Sequence, residues 1–232
     1  YIPAIHIVNY VQANNPTLPV ALGKVEGTLW AGKVDQIITQ GIVMNNVTWE
    51  LSPWFLFLGQ ANIDLKGGKI RESDQAYVRG NISASLFNPK NISAHDLKVF
   101  LPARSVMAQV QLPVPVTADG RFRVDIKAFE FDNACVNLTG KGSWLKGTVS
   151  GPTGVIDFVN FDANLACEGD QFAIQVMPEN NLSLDPQVLL SVSGKYKING
   201  RFKPSDDMPR EVHQAANFFG AADNQGFRKI DL

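Results

Sequence analysis

Gly27-Thr28-Leu29-Trp30-Ala31-Gly32-Lys33 fits the first seven positions of a phosphate-binding loop. Such a loop cradles phosphate on backbone N–H groups at a helix start, and a closing hydroxyl holds magnesium. Here the eighth position is Val34, so the hydroxyl is missing. Val34 to Ile38 also carries no helix-start signal and reads as a strand. The segment predicts a glycine turn rather than a nucleotide site. His6, His95 and His213 are scattered, with no second ligand nearby at metal spacing. The chain has no Gly-x-Ser-x-Gly elbow, no His-Glu-x-x-His helix and no Cys-x-x-Cys pair. Its carboxylates fall singly at polar strand positions. The expectation is no enzyme, no metal and no cofactor.

Cys135 and Cys167 are too few for a four-thiolate zinc site or a disulfide-framework miniprotein. Cys135 is in phase with Phe129 and Phe131, and Cys167 with Phe161 and Leu165. Both therefore point to an apolar strand face. That phase leaves two readings open, a pair of buried thiols or a bridge. Five Asn-x-Ser/Thr sequons, at Asn46, Asn81, Asn91, Asn137 and Asn181, are compatible with a secreted glycoprotein. They are equally compatible with an Asn-rich strand protein whose Ser and Thr fill wet faces.

The elements that must position these residues are mostly strands. Ile63 and Leu65 alternate with Asn62, Asp64 and Lys66, and Phe122, Val124 and Ile126 alternate with Arg123 and Asp125. The same period of two runs through Ile82–Leu86, Val159–Cys167 and Phe172–Val176. Period two buries one face and wets the other, as in antiparallel sheets. No helices of crossover length intervene, which argues against a parallel α/β sheet. About a dozen strands are expected, with Gly67-Gly68, Asp119-Gly120 and Asn199-Gly200 as turns.

Helical spacing appears at Ala4–Val11, Ala103–Val110 and Val212–Phe219, with a shorter turn at Pro53–Leu58. These stripes are expected to seal the ends or open side of the sheet. Pro113 and Pro115 mark a candidate boundary near Leu112–Thr117, but one continuous sheet is the simpler reading. The glycine pairs Gly27/Gly32 and Gly142/Gly147, each enclosing a Trp, suggest a duplicated unit.

Composition sets the outer limits. The 232 residues carry 21 Lys plus Arg against 22 Asp plus Glu, without the basic surplus that nucleic-acid binding needs. At 45% hydrophobic residues the chain can bury a core and is not expected to be disordered. Its longest apolar run, Trp54 to Leu58, is far short of a membrane span. The chain opens at Tyr1 without an initiator Met, and a processed or trimmed chain is expected.

Several segments together resemble the type II secretion system protein N family. The first is Gly27, Thr28, Leu29, Trp30, Ala31 and Gly32; the second is Val47-Thr48-Trp49-Glu50-Leu51-Ser52-Pro53-Trp54-Phe55-Leu56, closing at Gly59. Cys135 and Cys167, Gly194-Lys195-Tyr196, Gly200, Pro204, Phe219-Gly220 and Asp223 through Gly226 continue the pattern in order. Ile2-Pro3-Ala4 resembles the family segment just after its membrane helix. Val34 departs from the small or polar residues also seen there, without bearing on function.

The resemblance implies the periplasmic domain of a single-pass inner-membrane protein, here spanning residues 1–232. An oxidising periplasm would favour a Cys135–Cys167 bridge and make the sequons incidental. The expected fold is mainly β, a long curved antiparallel sheet, open or half-barrel, with a few short helices at its ends. The expected function is an accessory interaction component supporting export of folded proteins, with other inner-membrane or periplasmic secretion components as partners. An alternative of another class is a periplasmic lipid- or acyl-binding groove. Phe122, Phe129, Phe131, Phe158, Phe161 and Phe172 would line it.

Overall fold

Alternating side chains need a partner strand on each side, and short connections place that partner next in sequence. The computed structural model describes residues 3–4, 20–110, 116–151, 154–158 and 160–231. They form β1 (Val20–Leu22), β2 (Val25–Gly27), β3 (Ala31–Thr39), β4 (Ile42–Ser52), β5 (Gln60–Gly67), β6 (Tyr77–Ser85) and β7 (Asn91–Pro102). The longest strands follow, β8 (Thr117–Asp132) and β9 (Cys135–Gly151). Then come β10 (Gly154–Asp157), β11 (Phe161–Glu168), β12 (Gln171–Val176), β13 (Gln187–Leu190), β14 (Tyr196–Phe202) and β15 (Arg228–Asp231). Three short helices, α1 (Pro53–Leu56), α2 (Ala103–Met107) and α3 (Arg210–Ala216), complete the set, and a 3₁₀ turn (Asn217–Phe219) extends α3.

All fifteen strands belong to one antiparallel sheet, in the order β1-β3-β4-β5-β6-β7-β8-β9-β11-β12-β13-β14-β15. β2 pairs with β3, and β10 with β9. The sheet is an open meander: β1 and β15 lie at its two ends and do not close it into a barrel. β7 and β8, which flank the proline-rich boundary candidate, pair directly along their length. Residues 111–115 of that boundary lie outside the described residues, as does most of the helix expected at Ala4–Val11.

One register feature organises the side chains. Along β7 the apolar face is carried by Ile92 and Ala94, then by Leu97, Val99 and Leu101. Along β8 it is carried by Phe122, Val124 and Ile126, then by Phe129 and Phe131. Each strand holds one extra residue, Asp96 and Lys127, which sit opposite one another across the β7–β8 ladder. Asp96 takes a positive φ of 49°. Such bulges add a residue without moving neighbouring side chains to the other face. Apolar faces therefore stay aligned across β6 to β9.

Two expected turns are strand interior instead. Asp119-Gly120 lies within β8 at a register shift, where Gly120 has a φ of 99° and a Cβ would meet Leu145 O at 2.6 Å. The bulge presents Asp119 to α2, whose Arg104 donates Nε at 3.0 Å and Nη2 at 2.9 Å to the carboxylate. Asn199-Gly200 lies within β14, and a Cβ on Gly200 would meet Asp185 O at 2.6 Å. Glycine is needed there for close backbone approach, not for a reversal. Gly68, with a φ of 71°, does leave β5 in a turn.

The helices divide in role. α3 seals the β14–β15 end, where Ala216 packs with Phe202 and Ile230. α2 buries Ala103, and Ser105 Oγ donates to Gly41 O at 3.2 Å, tying the end of β7 to the β3–β4 turn. α1 seals nothing: none of its residues is buried. Among the described residues no helix is long and apolar enough to cross a membrane. The opposite sheet face has its own small cluster under the β5–β6 connection. There Arg121 lies 4.8 Å over the Phe100 ring and donates to Ile70 O at 2.6 Å. Burial holds its guanidinium below the usual arginine range.

Gly200→Ala is expected to destabilise the chain by about 1–3 kcal/mol through backbone displacement. Gly142→Ala, whose Cβ meets nothing closer than 3.8 Å, should be neutral or slightly stabilising. Urea-denaturation midpoints of the two variants check the contrast.

Candidate interaction surface

The six phenylalanines singled out from the sequence come together on the apolar face in two groups. Phe129, Phe131 and Phe172 gather at centroid separations of 6.1 to 6.4 Å across β8 and β12. Phe122, Phe158 and Phe161 gather around Trp144, at 5.8, 6.2 and 5.7 Å from its ring. Trp144 is the hub that strand alternation missed. Its signal was the Gly142–Gly147 unit that encloses it. Phe161 is buried, whereas the other five phenylalanines are half-buried. Among the described residues the buried apolar side chains are mostly Ala and Val, and no large side chain is fully enclosed.

The residues resembling a nucleotide loop have a mechanical role. Gly27 ends β2 and Gly32 lies in β3, so the segment is a hairpin with no helix behind it. Thr28 N–H donates to Ala31 O at 2.9 Å to close it. Trp49 crosses from β4 onto Gly32, where a Cβ would overlap the indole. Its Nε1–H donates to Leu29 O at 3.2 Å. Trp30 is partly exposed, and its carbonyl accepts the Leu51 N–H at 2.7 Å. Pro53 then starts α1, where its missing N–H costs nothing.

The second glycine pair repeats this device with different geometry. Trp144 covers Gly147, whose Cβ would lie 2.8 Å from the indole, and its Nε1–H donates to Asp119 O at 2.9 Å. The structural counterpart of Trp144 is Trp49, which lies outside the first glycine pair, rather than Trp30. In both places a tryptophan lies on a glycine and bonds a carbonyl of a neighbouring segment.

Cys135 and Cys167 form a disulfide with a Cα–Cα distance of 5.6 Å. It joins β9 to β11, and Cys167 pairs with Phe172 of β12 at the edge of the Phe129–Phe131–Phe172 group. The sequence separation is 32 residues. Closing such a loop stabilises by about 3–4 kcal/mol in the chain-entropy model. The described part of that loop includes β10 and Phe158, elements held by few ladder bonds of their own.

The charged groups lie elsewhere. Lys24–Glu26, Lys69–Glu72 and Lys229–Asp231 are exposed pairs. The Asp223 carboxylate accepts the N–H groups of Phe227 and Gln225, which hold it below the usual carboxylate range. That contact fixes the turn leading into β15. Among the described residues no group of three His, Cys, Asp or Glu side chains could hold a metal ion. What this surface offers chemically is apolar contact and, among the described residues, sheet ends with no further strand beside them.

Cys135→Ser/Cys167→Ser is expected to lose about 3–4 kcal/mol relative to the oxidised chain. Denaturation of the wild type with and without reductant should show the same gap, and the double variant should show none.

Comparison with known proteins places this arrangement. The family described as type II secretion system (T2SS), protein N matches residues 19–231. The type II secretion system protein N of Vibrio cholerae serotype O1 is 28% identical over 96% of this chain and 88% of its own length. That of Aeromonas hydrophila is 25% identical over 97% of this chain and 87% of its length. That of Klebsiella pneumoniae is 25% identical over 88% and 79%. No solved structure matches. With the match running from before β1 to the last residue of β15, the chain belongs to the type II secretion system protein N family.

Proposed function

We propose that this accessory component of type II secretion systems is a non-catalytic periplasmic module. It is held at the inner membrane by a helix preceding the sheet, and residues 1–232 act as one unit. It works by binding other inner-membrane or periplasmic components of the apparatus. The observation that carries this reading is the open sheet: among the described residues no further strand lies beside β1 at one end or β15 at the other. An extended partner segment can add to such an edge through main-chain hydrogen bonds. β1 and β15 are short, three and four residues, which limits uncontrolled self-association.

In a pull-down with the separate periplasmic components, the chain should retain at least one of them, and deleting it should impair secretion. Failure to retain any, together with normal secretion after deletion, would overturn the proposal.

A second reading, an acyl-binding groove, would use the half-buried aromatic groups around Trp144 and Phe172, and membership of the secretion family does not favour it. Native mass spectrometry of the purified chain should then show co-purified acyl ligand, displaced in Phe161→Asp. A ligand-free spectrum from chain purified out of its native membranes would end that reading.

A further inference from the structure

Fourteen large apolar side chains stand exposed among the described residues, and seven of them crowd into one corner of the sheet. That corner holds three neighbouring connections. The β2–β3 turn carries Trp30, α1 with its following turn carries Trp54, Phe55, Phe57 and Leu58, and the β6–β7 turn carries Leu86 and Phe87. Backbone bonds join them: Leu51 N–H to Trp30 O at 2.7 Å, and Leu86 N–H to Gly59 O at 2.8 Å. The Phe87 ring lies against Gly59, where a Cβ would overlap it, and the Trp54 and Phe57 rings are 6.1 Å apart.

Folding does not account for these side chains. Trp54 is 79% exposed, Phe57 85%, Leu58 73% and Phe87 89%. Exposed apolar residues scattered singly need no explanation, but a contiguous aromatic patch does. The tips carry no charge: residues 51–59 and 86–89 contain no Asp, Glu, Lys or Arg. No charge has to be stripped of water when they enter an apolar phase. Trp and Phe on projecting tips suit the membrane–water interface, where the rings meet acyl chains and the indole N–H stays hydrated.

Pro3 also lies at this corner, where it forms a β-bridge with Thr28 in the β2–β3 turn. We infer that this corner, centred on Trp54, Phe57, Leu58 and Phe87, is a lipid-contacting surface that seats the sheet on a bilayer. Its facing the inner membrane rests on the anchoring helix proposed above; its affinity for lipid does not. The occupant is the lipid surface itself, bound by apolar insertion and not by headgroup charge.

The test uses the chain Tyr1–Leu232, which needs no anchor, with vesicles of neutral phosphatidylcholine. It should co-float with the vesicles, and added salt should not release it. Brominated acyl chains should quench its fluorescence, and Trp54→Phe should remove most of that quenching while leaving binding intact. Trp49 and Trp144, whose indoles are held inside the fold, should not respond. Phe57→Ser/Phe87→Ser should lower partitioning by roughly tenfold or more. Val155→Ser and Phe218→Ser, also exposed but at the other end of the strands, should change nothing. Circular dichroism and an intact disulfide confirm that each variant is folded.

Failure to co-float, release by salt, or equal losses from the two controls would overturn the inference and leave the anchor untouched. Retained vesicle binding in Phe57→Ser/Phe87→Ser, with loss of capture by a secretion component, would also overturn it and assign the corner to a protein partner.

Discussion

The structure depends on one antiparallel ladder keeping its apolar side chains on the same face from β3 to β14. A register slip of one residue would turn a whole strand inside out. The danger is greatest where β7, β8 and β9 run longest. The chain meets it with paired bulges at Asp96 and Lys127, placed opposite each other so that β7 and β8 shift together. The aromatic groups around Trp144 and Phe172 exist because that phase is preserved. So does the bridge, since Cys135 follows Phe131 in register and Cys167 faces Phe172.

A single open sheet has little interior, and this one is held by local devices more than by a central core. Trp49 on Gly32 and Trp144 on Gly147 each clamp a hairpin to its neighbour. Arg104 on Asp119 fixes a bulge, Asp223 fixes the closing turn, and α3 caps the β14–β15 end. The disulfide acts where the ladder is least supported, across the segment that includes the short β10 hairpin. Exposed ion pairs add little by comparison.

This architecture leaves much of the molecule as surface, consistent with a component that works by contact. The polar face, the two short edges and the aromatic corner are chemically different. One sheet can therefore present separate surfaces to water, to an extended partner segment and to lipid. The family's glycine–tryptophan pattern lies at the base of that corner and supports the turn from which Trp30 projects.

Strand content, antiparallel order and the apolar face were legible in the sequence, because period two survives in Ile63–Leu65, Phe122–Ile126 and Phe161–Cys167 whatever surrounds them. The cysteine phase was legible for the same reason, but two thiols on one face do not state their distance. The structure alone brought them to 5.6 Å, since β9 and β11 are neighbours only once β10 folds back on β9. Asp119-Gly120 and Asn199-Gly200 misled because a glycine that permits a turn and one that admits a neighbouring backbone look identical in sequence. Trp49 and Trp144 became distinguishable from Trp30 and Trp54 only through what they touch. The first two cover glycines and bond carbonyls, while Trp54 has no such partner and faces outward. Local periodicity sets which face a side chain takes. Only the folded ladder determines what lies across from it, and whether anything does.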